Sequence, residues 1–130
     1  MMSTINRLYN VGNPYQGKTK KVLCVCSAGL LRSPTLANVL HREFGYNTRA
    51  AGYSSEYALV PVDEVMVAWA DEIVCVHFMV YENLKQVVDL KDARVIILDI
   101  PDTYAYMDET LQQMLLKQYQ DHVIMERAKK

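Results

Sequence analysis

The chain has little with which to build a nucleic-acid surface, a membrane span or a metal centre. Its 14 Lys and Arg stand against 15 Asp and Glu. A formal net charge of −1 leaves no basic excess for a polynucleotide, which needs a clustered basic face. No apolar run approaches the roughly 20 residues that cross a bilayer, and the first residues lack the charged-then-apolar pattern of a secretory leader. Neither a nucleic-acid partner nor a membrane is therefore expected. Cysteine is scarce as well: Cys24, Cys26 and Cys75 make three, an odd number at none of the spacings that hold zinc. The three histidines, His41, His77 and His122, are too scattered to act as ligands, so no metal and no cofactor is expected. Such sparing use of cysteine suits a reducing cytoplasm, where a thiol stays usable. No internal repeat or low-complexity tract is present.

What is there is a chain of 130 residues, 51% apolar, enough for one domain with a genuine core. Residues 1 to 20 are polar, broken by Gly12, Pro14 and Gly17, and read as an N-terminal extension to a domain over 21–130. The pattern predicts a strand over 21–26 and a helix over 34–44 that buries Leu36, Ala37, Leu40 and Phe44 and stops at Gly45. A short strand fits 47–51. After the Gly52-Tyr53-Ser54-Ser55 turn, Val62, Val65, Met66 and Trp69 mark a second helix, and residues 72–76 a buried third strand. Val80, Leu84, Val87 and Val88 stripe a third helix, and 94–98 forms a fourth strand. Asp108 reads as the N-cap of a last helix with Leu111, Met114, Leu115, Tyr119 and Val123 on one face. This alternation predicts an α/β fold, a three-layer α/β/α arrangement around a four-stranded parallel sheet, Rossmann-like. Ligands of such sheets sit at the carboxyl ends of the strands, where strand order reverses.

That edge receives the segment Cys26-Ser27-Ala28-Gly29-Leu30-Leu31-Arg32-Ser33-Pro34, which leaves the first strand and enters the first helix. Loop N–H groups point inward there and the helix start adds partial positive charge, so a dianion fits. Arg32 closes the cradle with a planar, bidentate guanidinium. A thiol attacks phosphorus only as thiolate, and the donors that hold a phosphate also favour that anion. Ser33 has two candidate jobs, a hydroxyl for the Cys26 sulfur or the N-cap of the helix. Pro34 suits the first helical position, and Gly29 supplies the left-handed conformation of a tight turn around an anion.

The fourth strand runs into Leu98-Asp99-Ile100-Pro101-Asp102-Thr103-Tyr104-Ala105-Tyr106, bringing carboxylates and aromatics to the same edge. Phosphate-ester cleavage needs a proton for the leaving oxygen and then a base for water, and one carboxyl group does both. His77 ends a strand at this edge and reads as a structural histidine. One motif competes: Gly12-Asn13-Pro14-Tyr15-Gln16-Gly17-Lys18-Thr19 matches the Walker A pattern letter for letter. It lacks a buried strand before it and a helix starting at its lysine, so nucleotide binding is not expected.

Together these residues resemble the low-molecular-weight protein tyrosine phosphatases. The family shares the strand, the loop Cys-(five residues)-Arg-Ser-Pro and the following helix, here Val22 to Leu40. It carries its general acid in an Asp-Pro-Tyr element after the last strand, often preceded by Ile-Pro or Val-Pro. Aligning Ile100-Pro101-Asp102-Thr103-Tyr104 onto that element puts Asp102, not Asp99, in the acid position and Tyr104 at the first pocket tyrosine. Ala50-Ala51-Gly52 looks like the family's Ser-Ala-Gly, and residues 71–76 resemble its third strand. Over about 21–128 the resemblance implies a phosphatase in which Cys26 is the nucleophile, Arg32 binds phosphate and Asp102 is acid and base. Ser27, Ala28, Gly29, Leu30, Leu31, Ser33, Tyr104 and Tyr106 would contact substrate. The implied substrates are a phosphotyrosine protein or a small aryl phosphate, and the product is inorganic phosphate released from a cysteinyl-phosphate.

The departures are specific. Gly29 stands where the family has a bracing asparagine, and Leu31 where a second cysteine guards the nucleophile. Thr103 replaces the proline after the acid. Ala105 replaces the second pocket tyrosine, with Tyr106 as a substitute, and the stretch from Gly52 to Pro61 is short. These imply a slower, oxidation-sensitive enzyme of a compact branch. Two other classes stay open. Arsenate reduction needs a relay of cysteines, for which Cys24 and Cys75 sit inside strands. A non-catalytic phosphotyrosine-binding module is kept open by Gly29 and Thr103.

Overall fold

Val22, Leu23, Cys24 and Val25 are fully buried, a continuous apolar run that only a central strand covered on both faces accommodates. They form β1 (Lys21–Cys26), flanked by β2 (Asn47–Gly52) on one side and β3 (Glu72–Cys75) on the other, with β4 (Val95–Ile97) outermost. The structure is a computed structural model that describes residues 19–27, 32–54, 58, 60–101 and 103–129, the last four as backbone only. The polar extension before Thr19 lies outside the described residues, and with it all of the Walker-A-like segment but its last threonine. Every pairing is parallel, as the alternation predicts, and the strand order is β2-β1-β3-β4. Strand order reverses at β1, so the crevice between the carboxyl ends of β1 and β3 is where a ligand belongs.

The flanking helices are α1 (Arg32–Phe44), α2 (Glu64–Trp69), α3 (Phe78–Val87) and α4 (Glu109–Lys129). Local chemistry sets their ends. Gly45, at φ 72°, gives its amide to the His41 carbonyl at 2.9 Å and closes α1 in the left-handed conformation that glycine adopts freely. Asp63 caps α2 by accepting from the Met66 amide at 2.9 Å. Asp108 caps α4 through the amides of Thr110 and Leu111 at 2.8 and 3.2 Å. The expected face of α4 is buried at Leu111, Leu115 and Tyr119 and packs against α1. There the Tyr119 ring meets Phe44 and Tyr46, with centroids 5.5 and 6.3 Å away.

Two readings need correction. Val65 and Val87, expected on buried helix faces, are 70% and 49% exposed. α2 is only six residues long and buries Met66 and Val67 instead. Val62 is buried but precedes the helix, in an extended stretch where its amide bonds the Gly52 carbonyl at 2.9 Å. α1 also starts at Arg32, two residues before the expected boundary, which bears on Ser33 below.

At the amino edge of the sheet Glu72 is 1% exposed. A bare carboxylate there would be costly. It is satisfied by Lys20 Nζ at 2.9 Å, Arg94 Nε at 3.0 Å and the Tyr119 hydroxyl, which donates at 2.7 Å. Among the described residues no helix is long and apolar enough to cross a membrane.

Candidate active site

The carboxyl edge is extended beyond the strands by backbone pairing. Tyr53 and Ser54 donate to the carbonyls of Cys26 and Ser27 at 3.2 and 3.0 Å, Val76 to Val25 at 3.1 Å and Ile100 to Val76 at 2.9 Å. Each strand therefore delivers the residues after it to one place. Ser27, Tyr53, His77 and Ile100-Pro101, with Arg32 from α1, line a cleft of about 330 Å³. Met79 and Val80 of the first turn of α3 complete its described lining.

At this edge Cys26 Sγ lies 3.1 Å from Ser33 Oγ, and both side chains are buried. The Ser33 hydroxyl also reaches the Ala51 carbonyl at 3.4 Å. In the contact with sulfur either the hydroxyl or the thiol can donate, so Ser33 links the Cys26 sulfur to the backbone of β2. Because α1 begins at Arg32, Ser33 lies inside its first turn. Of its two candidate jobs the structure gives it the sulfur, not the cap. Pro34 remains within that turn, where a missing N–H costs nothing. Arg32 is 6% exposed, and its Nη1 donates to the Ile100 carbonyl at 2.8 Å. A permanently charged, planar group is thus anchored at the carboxyl edge, in the lining of the cleft.

No family model matches the chain, and no curated protein matches it in sequence. Solved structures do. Wzb of Vibrio vulnificus, in complex with benzylphosphonate, is similar over 79% of this chain and 96% of its own, at 20% identity and a TM-score of 0.64. A low-molecular-weight phosphotyrosine phosphatase of Vibrio cholerae O395 is similar over 75% of this chain and 88% of its own, at 19% identity and a TM-score of 0.56. The YwlE arginine phosphatase of Geobacillus stearothermophilus is similar over 85% and 96%, at 16% identity and a TM-score of 0.50. The chain has the fold of the low-molecular-weight protein tyrosine phosphatases.

Against that phosphatase fold the remaining expected site residues fall into three groups. Ala28, Gly29, Leu30, Leu31 and Asp102 lie outside the described residues. Tyr104 is half-buried against the core and Tyr106 is 55% exposed; neither is among the described residues lining the cleft. Ser27 lines it, as expected. Asp99, the alternative carboxylate, has a side chain 91% exposed, 3.6 Å from His77 Nε2.

His77 is structural, as its position suggested, because its Nδ1 accepts from the Met79 amide at 3.1 Å and caps α3. That acceptor role leaves the proton of the neutral ring on Nε2. The same ring also lines the cleft, a place the sequence reading did not assign to it. Tyr53, Met79, Ile100 and Pro101 were missed as lining residues too. The rule that ligands gather where strands end would have found Tyr53, which follows β2 directly.

The other thiols are set apart. Cys24 and Cys75 are fully buried. Burial pushes the Cys75 thiol up to about 12. Burial, and then the charge of Glu72, hold Cys24 well above the ordinary thiol value. Both stay protonated at neutral pH.

Proposed function

We propose that the chain is a cysteine-dependent phosphomonoester hydrolase acting on phosphotyrosine, in the reducing setting of the cytoplasm. The observation that carries this reading is the Cys26 sulfur 3.1 Å from the Ser33 hydroxyl, at the switch point of a tyrosine-phosphatase fold whose carboxyl-edge cleft is lined by a buried Arg32. Benzylphosphonate, bound by the Vibrio vulnificus protein, has the shape of an aryl phosphomonoester, and the cleft here offers Tyr53 and Met79 to such a ring.

In the proposed reaction Cys26 attacks phosphorus in line. The S–P bond forms as the P–O bond to the phenol breaks, and Asp102 gives its proton to the leaving oxygen. Arg32 and the loop N–H groups hold the equatorial oxygens, where preorganised charge contributes most. Water then attacks the cysteinyl-phosphate while Asp102 takes its proton. The S–P bond breaks, and inorganic phosphate leaves with the thiolate restored. Arsenate reduction is disfavoured because Cys24 and Cys75 are sealed in strands, with no exposed sulfur to join a relay.

Hydrolysis of p-nitrophenyl phosphate tests the reading. Wild type is expected to turn over, and Cys26→Ser to lose activity; equal rates sink the proposal. Asp102→Ala should cost about a hundredfold, and Asp99→Ala should leave the rate near wild type. Comparing phosphotyrosine with phosphoarginine peptides decides the substrate class, with phosphotyrosine expected to be preferred.

A further inference from the structure

Arg32 is held by a carbonyl, and that carbonyl is itself held. Beyond β4 the chain stays extended, with Leu98 and Ile100 donating to the carbonyls of Cys75 and Val76 at 2.8 and 2.9 Å. Alternation turns the polar backbone groups of Asp99 to the other side, away from the sheet. There Gln118 of α4 meets them with both ends of its amide. Its Oε1 accepts from the Asp99 N–H at 2.7 Å and its Nε2 donates to the Asp99 carbonyl at 3.0 Å. One side chain thus stands where a further strand would pair.

The peptide between Asp99 and Ile100 is consequently bonded at both ends, its carbonyl to Gln118 and its N–H to Val76. The next carbonyl, that of Ile100, accepts from Arg32 Nη1 at 2.8 Å. After Val76 the chain leaves the sheet for α3, so no backbone donor of β3 meets Ile100 O. The guanidinium takes that place.

We infer that Gln118 is a positioning residue for the oxyanion site, acting through the Asp99–Ile100 backbone on Arg32. The inference rests on the phosphatase reading and adds to it a residue on α4, outside both motifs. Gln118 is half-buried and touches no reacting atom, so its effect must pass through the Arg32 guanidinium.

The test is calorimetric titration of the full chain with inorganic phosphate, paired with the NMR resonances of the Arg32 side-chain N–H groups. Gln118→Leu is expected to weaken phosphate binding about fivefold, the size of one hydrogen bond, and to shift and broaden the Arg32 signals. Gln118→Asn keeps both polar groups on a stem one methylene shorter and should show the same loss at an unchanged melting temperature. It also stands in if the leucine variant fails to fold. Phosphate affinity within about twofold of wild type overturns the inference. So does a loss of affinity with the Arg32 signals unmoved, because it signifies a merely structural role. Wild type that binds no phosphate sinks the phosphatase reading itself, and this inference with it.

Discussion

Three thiols in one small sheet differ in what surrounds them. Cys24 and Cys75 meet apolar neighbours and stay protonated, whereas Cys26 has a hydroxyl at 3.1 Å. Alkylation by iodoacetamide at neutral pH is therefore expected to modify Cys26 alone, and inorganic phosphate to slow it; peptide mapping by mass spectrometry reads the site. On the proposed reading Ser33 donates to the attacking sulfur, and because a hydrogen bond to a charged group is worth about 1.5–3 kcal/mol, Ser33→Ala should lower the alkylation rate about tenfold or more. An unchanged rate would mean that Ser33 serves the Ala51 carbonyl instead. Cys26, Arg32 and Ser33 were legible in the sequence because fixed spacing between unlike residue types is rarely accidental. Tyr53 and Met79 were not, since a single large side chain after a strand carries no pattern. Gln118 was hidden for another reason: a glutamine on a long helix ordinarily faces water, and only the path of the Asp99 backbone gives it work.

The elements follow their punctuation more faithfully than their stripes. Gly45 and Asp108 mark helix ends where the structure has them, because a left-handed turn and an N-cap each need a particular residue at a single position. Val65 was misread because six residues are too few for a periodicity of 3.6 to define a face, and Val87 because it is the last residue of α3, where the stripe runs out. The Gly45 site permits a clean measurement. A Cβ built there meets nothing within 4 Å, so Gly45→Ala strains only the backbone at φ 72°. It should destabilise the protein by about 1 kcal/mol in urea denaturation, with phosphatase activity per folded molecule unchanged.

Across the described fold, the candidate site and a buried ionic cluster sit at opposite ends of the sheet. The carboxyl edge holds the cleft, and the amino edge holds Glu72 with Lys20, Arg94 and Tyr119. The parallel sheet could be anticipated from alternation alone, but its strand order and this second cluster could not, because both are set by tertiary approach. Buried protonated groups make stability sensitive to alkali. The Cys75 thiol, ordinarily near 9.0, is raised to about 12 by burial. The Tyr119 phenol is raised by burial first and by its bond to Glu72 second. The folded chain thus keeps protons that the unfolded chain releases, so stability is full below the ordinary values and declines as the pH climbs past them. Thermal unfolding should show a melting temperature that falls from about pH 9 upward, less steeply in Cys75→Ala. Tyr119→Phe, which withdraws one donor from Glu72, should cost about 1–3 kcal/mol near neutrality. A stability that does not change on entering alkali would contradict the assignment.

The bond from Arg32 to the Ile100 carbonyl belongs to the fold itself. An arginine side chain is rich in rotamers, and immobilising such a chain at the moment of binding costs about 0.5–1.5 kcal/mol. Here that entropy is lost when the chain folds. On the proposed reading an oxyanion in the cleft meets a guanidinium already anchored, so the free energy of its contacts goes into affinity and rate rather than into ordering the group that makes them.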